Sequence, residues 1–415
     1  MRRSLSLFDV VCIGLNAIVG SGIFVLPDDL ARDMGSLSPL AFLLCAVGLL
    51  PVALCYAEAA SKVDRTGGPY VYAREAFGPG VGFAVGWMCV ANSMFSFAAV
   101  ASAAAAYAGR IWPRLSGAAW PKLVALVIVF TFAALNYRGA RPGARAVNTF
   151  TFAKFAVLFT LVFALVPHLS LAQHSAELPR GLAGVSAATF AALFAAQGFE
   201  VVPVPAGETR DPERAMPRAI VGSLLAASLV YVVVQTVLVL SYPKLSAPSD
   251  APLADAALAV VPGLAFLVLC GGLVSTLGFV SGSALGIPRY LYAMGVDGLL
   301  PRGLAAVHPR FDSPYRAVVV TALVVSGLVA AFDYRALLGM SNVSVAVQYL
   351  STCLAVLALR RRGGLAGRVG SYAVPLLGSL VSLWIFTEAS GQELVWALGS
   401  LFVGGLVLSA LRIRV

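Results

Sequence analysis

The sequence predicts an all-α membrane protein, and three observations carry that prediction. Hydrophobic residues make up 60% of the 415, charged residues only 12%, and long apolar runs recur from near the N-terminus to the last residues. A soluble fold cannot hide so much apolar surface, so lipid has to act as the solvent. A helical run of roughly 20 residues crosses the ~30 Å hydrocarbon core, and no soluble domain fits between the runs.

Twelve such spans are expected, near 8–33, 36–61, 80–109, 119–137, 146–167, 185–206, 217–241, 261–292, 316–332, 336–359, 371–388 and 393–411. Only Met1 to Leu7 precede the first, which contains Gly and Asn where a signal peptide has an unbroken apolar core. It is therefore expected to stay in the mature chain.

Orientation follows from the basic residues, because Lys and Arg near helix ends are retained on the cytoplasmic side. With the N-terminus inside, 21 of the 29 fall on that side, among them Arg2, Arg3, Arg138, Arg141, Arg145, Arg210, Arg214, Arg218 and Arg360. Seven fall outside, and Lys154 lies within a span. The asymmetry predicts a multi-pass protein of the cell (inner) membrane with both termini cytoplasmic.

The net charge of +10 is dispersed over short loops rather than gathered on one face, so nucleic acid is not an expected partner and anionic membrane lipids are. Cys12, Cys45, Cys55, Cys89, Cys270 and Cys353 sit singly in apolar spans, the pattern of structural thiols rather than of disulfides or a zinc site. Neither a P-loop nor a G-x-G-x-x-G, G-x-S-x-G or H-E-x-x-H motif occurs, and His168, His174 and His308 all fall in loops. ATP-driven transport and metal hydrolysis are disfavoured. No enzyme, metal or cofactor is expected.

Two spans break the rule that helices in lipid avoid Gly-rich polar interruptions. The first places Gly20-Ser21-Gly22 near its middle, and the sixth reads Gln197-Gly198-Phe199-Glu200 followed by Pro203 and Pro205. Because these spans are five apart and five is odd, a second five-helix unit enters the membrane from the opposite side. That is the pattern of an inverted repeat with its ligand site at the two breaks. It divides the chain into a first repeat at 1–167, a second at 168–360 and two further helices at 361–415.

The stretch Asn16-x-x-Val19-Gly20-Ser21-Gly22-Ile23-Phe24 resembles the first-helix signature of the amino acid–polyamine–organocation superfamily. Further matches are Thr66-Gly67-Gly68-Pro69-Tyr70-x-Tyr72, Gly198-Phe199-Glu200, Asp211-Pro212-Glu213-Arg214-x-x-Pro217-Arg218 and Arg289-x-x-x-x-Met294-x-x-Asp297-Gly298-x-x-Pro301. They run in order from span one to span ten; spans eleven and twelve carry no matching motif. The resemblance implies a five-plus-five inverted repeat with alternating access to a central amino acid site. It leaves the substrate open among neutral, cationic and acidic amino acids and polyamines.

An amino acid zwitterion carries a carboxylate and an ammonium that must both be matched when it leaves water. The N–H groups around Ser21, Gly22 and Ile23 are expected to face the carboxylate. Carbonyls around Ile18 and Val19, with those near Phe194 and Gln197, are expected to accept from the ammonium. Glycine at 20 and 22 then lets the ligand approach the backbone. The competing reading of these glycines is a small-residue packing face, which is the one favoured for Gly278, Gly282 and Gly286. Asn92 and Ser93, with Ser96, are expected to face the site from span three, although such side chains also bond helix to helix.

Lys154 is the only basic residue well inside a span, where translocon scales charge about 3 kcal/mol for it. The resemblance implies that it replaces a sodium ion beside the broken first helix and the eighth, near the carbonyl of Ile18 and polar groups such as Ser281 and Ser283. It can then couple a proton to transport, act as a fixed cationic tether, or snorkel to the cytoplasmic end. Glu200, the only carboxylate near mid-span, also needs partners or a proton; it bridges helices or bonds a gate. At Phe194 the resemblance implies an aromatic gate, against the alternative of plain packing.

The function expected is secondary transport of amino acids, neutral ones first because Glu200 is the only acidic residue near the site, driven by exchange or protons. The rivals are a cationic amino acid or polyamine antiporter, a channel and, last, a membrane enzyme. Oligomeric state is not legible.

Overall fold

The structure, a computed structural model, describes residues 3–117, 119–170, 179–249, 251–362, 372–388 and 391–410. Among these residues the regular structure is helical, with no strand. The first helical run is divided into α1 (Leu7–Ile18), α2 (Gly22–Val25) and α3 (Pro27–Met34). It is followed by α4 (Pro39–Ala60), α5 (Pro69–Phe77), α6 (Pro79–Ile111), α7 (Trp120–Tyr137) and α8 (Ala140–Leu165). Then come α9 (Gly181–Ala196), α10 (Pro212–Ser241), α11 (Pro252–Val260), α12 (Ala265–Val296), α13 (Tyr315–Ala331) and α14 (Tyr334–Arg361). The last two are α15 (Ala373–Glu388) and α16 (Gly391–Ala410).

Among the described residues seven segments are long and apolar enough to cross a membrane: Leu7–Val25, Pro39–Ala60, Pro79–Ile111, Trp120–Tyr137, Ala140–His168, Pro212–Ser241 and Pro262–Val296. Shorter apolar helices lie at Gly181–Leu193, Tyr315–Ala331, Ala373–Glu388 and Leu394–Ser409. α14 carries buried Ser341, Ser344, Gln348 and Thr352, which dilute its apolar character. The outer surface is apolar, with Phe163 74% exposed, Leu182 83% and Phe402 68%. In water such a surface would aggregate; in lipid it is an ordinary exterior.

α1 starts where its sequence supplies a cap. Ser6 accepts from the Asp9 amide at 3.3 Å while Asp9 accepts from the Ser6 amide at 2.8 Å, so two orphan N–H groups are satisfied reciprocally. Asn148 of α8 donates to the other Asp9 oxygen at 2.7 Å and fixes α8 against the base of α1. α12 packs on α6, α8 and α1, and α4 packs on α10. α15 lies against α4 and α14, and α16 against α14 and α6.

Several of the motif residues meet on the face that carries the N-terminus. Gly67 and Gly68 adopt positive φ (131° and 51°), which glycine tolerates best, and the Gly67 amide donates to the Val204 carbonyl at 3.0 Å. Asp297 accepts from Tyr70 Oη at 2.7 Å and from Arg65 at 2.8 Å, with Arg74 at 3.1 Å. Arg289 grips Glu208 with two hydrogen bonds, at 2.6 and 2.9 Å. These motif residues are thus tied to one another on that face by turns, hydrogen bonds and ion pairs.

A cavity between two broken helices

α1 stops at Ile18 because Gly20, Ser21 and Gly22 hold the chain poorly in a helix, and α2 begins only at Gly22. α9 stops at Ala196; Gly198 then turns at φ +126° before the short turn Phe199–Val201. A side chain at Gly198 would come within 2.5 Å of the Ala17 carbonyl carbon. Only glycine lets the second break lie against the end of α1.

Between the breaks is a cavity of about 90 Å³. Ile18, Gly20, Ser21 and Gly22 line it from the first break, and Gln197, Gly198 and Glu200 from the second. Asn92, Ser93 and Ser96 of α6 face it, as do Phe279, Ser283 and Tyr290 of α12. Of the other expected site residues, Val19, Ile23 and Phe199 are fully buried beside the cavity rather than on its wall. The side chain of Phe194 lies outside the described residues, and the gate expected there with it.

The expected role of Gly22 changes. A Cβ there would lie 2.7 Å from Ala195 Cβ, so the close approach it permits is that of α9, whereas a Cβ at Gly20 would meet Phe279 at 3.2 Å. The glycines of α12 are mixed: Gly278 is closed off by the Asn16 side chain, 2.4 Å from where its Cβ would be, while Gly282 and Gly286 line the cavity.

The carbonyls at the end of α1 are also differently employed. Ile18 O accepts from the Gly20 amide at 2.8 Å and from Tyr231 Oη at 2.8 Å. Val19 O accepts from Lys154 Nζ and, at 3.2 Å, from Ser275 Oγ. A carbonyl oxygen has two lone pairs, so neither is free for a substrate ammonium. Tyr231 Oη also lies 3.1 Å from Ala195 O, and its one proton is shared between the two broken helices.

Lys154 is fully buried, and its Nζ also lies 3.4 Å from Asn16 O. Its side chain ends on the broken helix and not at the surface, so it does not snorkel. The partner from α12 is Ser275, which reaches Gly20 O at 2.7 Å, whereas Ser281 donates to Gly278 O within its own helix. Glu200 turns back on the second break, accepting from the Gly198 amide at 2.8 Å and from Tyr349 Oη of α14 at 3.0 Å. Phe199 stacks on Tyr349, ring centroids 5.2 Å apart, and meets Tyr56 edge-on at 5.6 Å.

Tyr231, Ser275 and Tyr349 were not anticipated. Each is a polar tip in an apolar helix, and a buried hydroxyl of this kind needs a partner; the sequence does not say which. Among the described residues no group of three or more His, Cys, Asp or Glu side chains is placed to hold a metal ion.

The chain is 31% identical over 381 residues to cationic amino acid transporter 4 of Mus musculus, covering 87% of this chain but only 60% of that longer protein. It is 34% identical over 393 residues to an uncharacterized transporter of Mycobacterium tuberculosis, covering 91% and 87% of the two chains. With the branched-chain amino acid permease BcaP of Bacillus subtilis it shares 27% identity over 434 residues, covering 97% and 92%. These relatives and the apolar helices make it a membrane transporter rather than an enzyme. The family model for amino acid permeases matches residues 5–398, and the chain belongs to that family.

Proposed function

We propose that this protein is a secondary transporter of neutral L-amino acids that works by alternating access at the cavity between the two breaks. The observation that carries the reading is the meeting of two interrupted helices at one cavity with polar groups on both sides. The amides of Ser21, Gly22 and Ile23 begin the outer half of the first broken helix and suit a carboxylate. The ammonium goes to the carbonyls at the ends of α1 and α9 that Lys154, Ser275 and Tyr231 leave free, with the Gln197 side chain beside them. Val100, Ile13 and Phe279 supply apolar wall for a side chain.

Two five-helix units, 1–167 and 168–360, related by inversion, account for the contacts between equivalent helices. α4 packs on α10, α6 on α12 and α7 on α13, each pair five spans apart, and α1 touches the turn after α9. In this reading twelve spans cross the cell membrane with both termini cytoplasmic, and 361–415 flank the transport core. Lys154, held on the carbonyls of the first break, couples proton movement to its rearrangement, or remains charged while the carrier exchanges one amino acid for another.

A second reading, transport of cationic amino acids, is favoured by one observation: the acidic residue Glu200 is part of the cavity wall. Competition for uptake in proteoliposomes separates the two. Leucine and alanine should compete and arginine should not; the reverse order transfers the assignment to cationic substrates. Isopentylamine, which is leucine without its carboxylate, should compete poorly. Equal competition by that amine would remove the backbone carboxylate site altogether.

A further inference from the structure

Two cavities outside the transport site share a wall. One, of about 430 Å³, opens on the N-terminal face and is lined by Arg3, Arg138, Arg141 and Arg145, with Glu208 and Asp312 the only carboxylates. The other, of about 560 Å³, is an apolar groove between α7 and α13, and Arg138 and Phe311 belong to both.

The basin has more positive charge than its own acids can balance. Both Glu208 oxygens are taken by Arg289, and Arg3 is paired with Asp64. Arg138, Arg141 and Arg145 are exposed and make no ion pair among the described residues. Arg141 and Arg145 are also one turn apart in the opening turns of α8, which carry no acid. Like charges at that spacing repel, and the positive end of the helix dipole adds to the repulsion. An anion seated among them relieves both.

The groove says what kind of anion. Phe130, Ala134 and Tyr137 of α7 face Val319, Ala322 and Leu323 of α13. Steps of three and four residues along one face make a strip about 10 Å long at 1.5 Å per residue. Ala322 is buried at its floor, and the exposed flanks of Phe130, Val319 and Leu323 form its rims. Its polar end is Arg138, beside an aromatic cluster in which Tyr137 packs on His308 at 5.4 Å and on Phe311 at 6.2 Å. Tyrosine rings such as that of Tyr137 are enriched at the level of lipid headgroups. A free phosphate would use the basin and leave the groove without a role.

We propose that this paired basin and groove is a binding site for an anionic phospholipid, its phosphate among Arg138, Arg141 and Arg145 and one acyl chain in the groove between α7 and α13. The proposal rests on the orientation given above only in naming the cytoplasmic leaflet, where anionic lipids are concentrated, as the source. Lipid binding is read without any amino acid substrate, so a failed transport assay leaves it standing.

The test is native mass spectrometry of the purified full chain titrated with phosphatidylglycerol, phosphatidylcholine or inorganic phosphate. One phosphatidylglycerol should be retained at least tenfold better than phosphatidylcholine. The double variant R141Q/R145Q, altered only at exposed side chains, should lose roughly thirty-fold in retention, the product of two arginine contributions. Ala134→Trp, which fills the groove, should release the lipid without disturbing the basin. R214Q/R218Q, with two exposed arginines on the same face but outside the basin, should change little. The proposal is overturned if that control loses as much as R141Q/R145Q, since diffuse surface charge then suffices. It is likewise overturned if inorganic phosphate displaces the lipid at equal concentration, or if Ala134→Trp retains it fully.

Discussion

Among the described residues two basic side chains are fully buried, and they are held in opposite ways. Arg289 is 1% exposed and meets the Glu208 carboxylate through two parallel hydrogen bonds, so charge cancels charge in a fixed planar geometry. Lys154 is 0% exposed and pairs with no carboxylate among the described residues; its Nζ rests on the backbone carbonyls of Asn16 and Val19. The first pair also anchors the chain around it. Glu208 O accepts from the amides of Ser4 and Leu5 at 2.8 and 3.0 Å, and the Arg210 amide returns to Leu5 O at 2.9 Å.

The difference separates a rigid clamp from a tether on an interrupted helix. A bidentate arginine pair has one good arrangement and resists change. A lysine is a compact donor on a flexible stem, and its partners here belong to a helix already interrupted; in the proposed mechanism the break and the lysine would move together.

The largest effect should come from the clamp. Arg289→Met strands the Glu208 carboxylate in the interior and should cost about 3–5 kcal/mol, seen as a steep loss of thermal stability. Adding Glu208→Leu should restore much of it, because an apolar pair of similar volume is tolerated. A single variant as stable as the parent would dissolve the contrast between the two cations.

Lys154→Met should behave in the opposite sense. It removes a buried charge without stranding another, so melting should shift little while pH-driven uptake disappears and some exchange survives. Uptake unchanged at every pH would deny the lysine any part in coupling.

Ser275→Ala probes the smallest difference. Ser275 donates to Gly20 O and Val19 O, the latter also held by Lys154, so its loss leaves the tether in place. The expected cost is about 1 kcal/mol, read as a few-fold weaker substrate binding in a titration of purified protein. Loss of all binding would make the serine, not the lysine, the principal tether.

Much of this was legible in the chain itself. Gly20-Ser21-Gly22 and Gln197-Gly198 announce two interruptions because glycine and polar residues do not belong in a lipid-spanning helix, and Lys154 and Glu200 stand out because charge does not belong there either. Those are statements about single residues against a uniform solvent, and composition alone supports them. What only the tertiary structure decided is who answers whom. Tyr231 spans both breaks, Val19 O is taken by Lys154 and Ser275, and Gly22 makes room for Ala195. These partners are up to about 260 residues apart in the chain. A hydrogen bond depends on a few tenths of an ångström of helix packing, which no local pattern encodes.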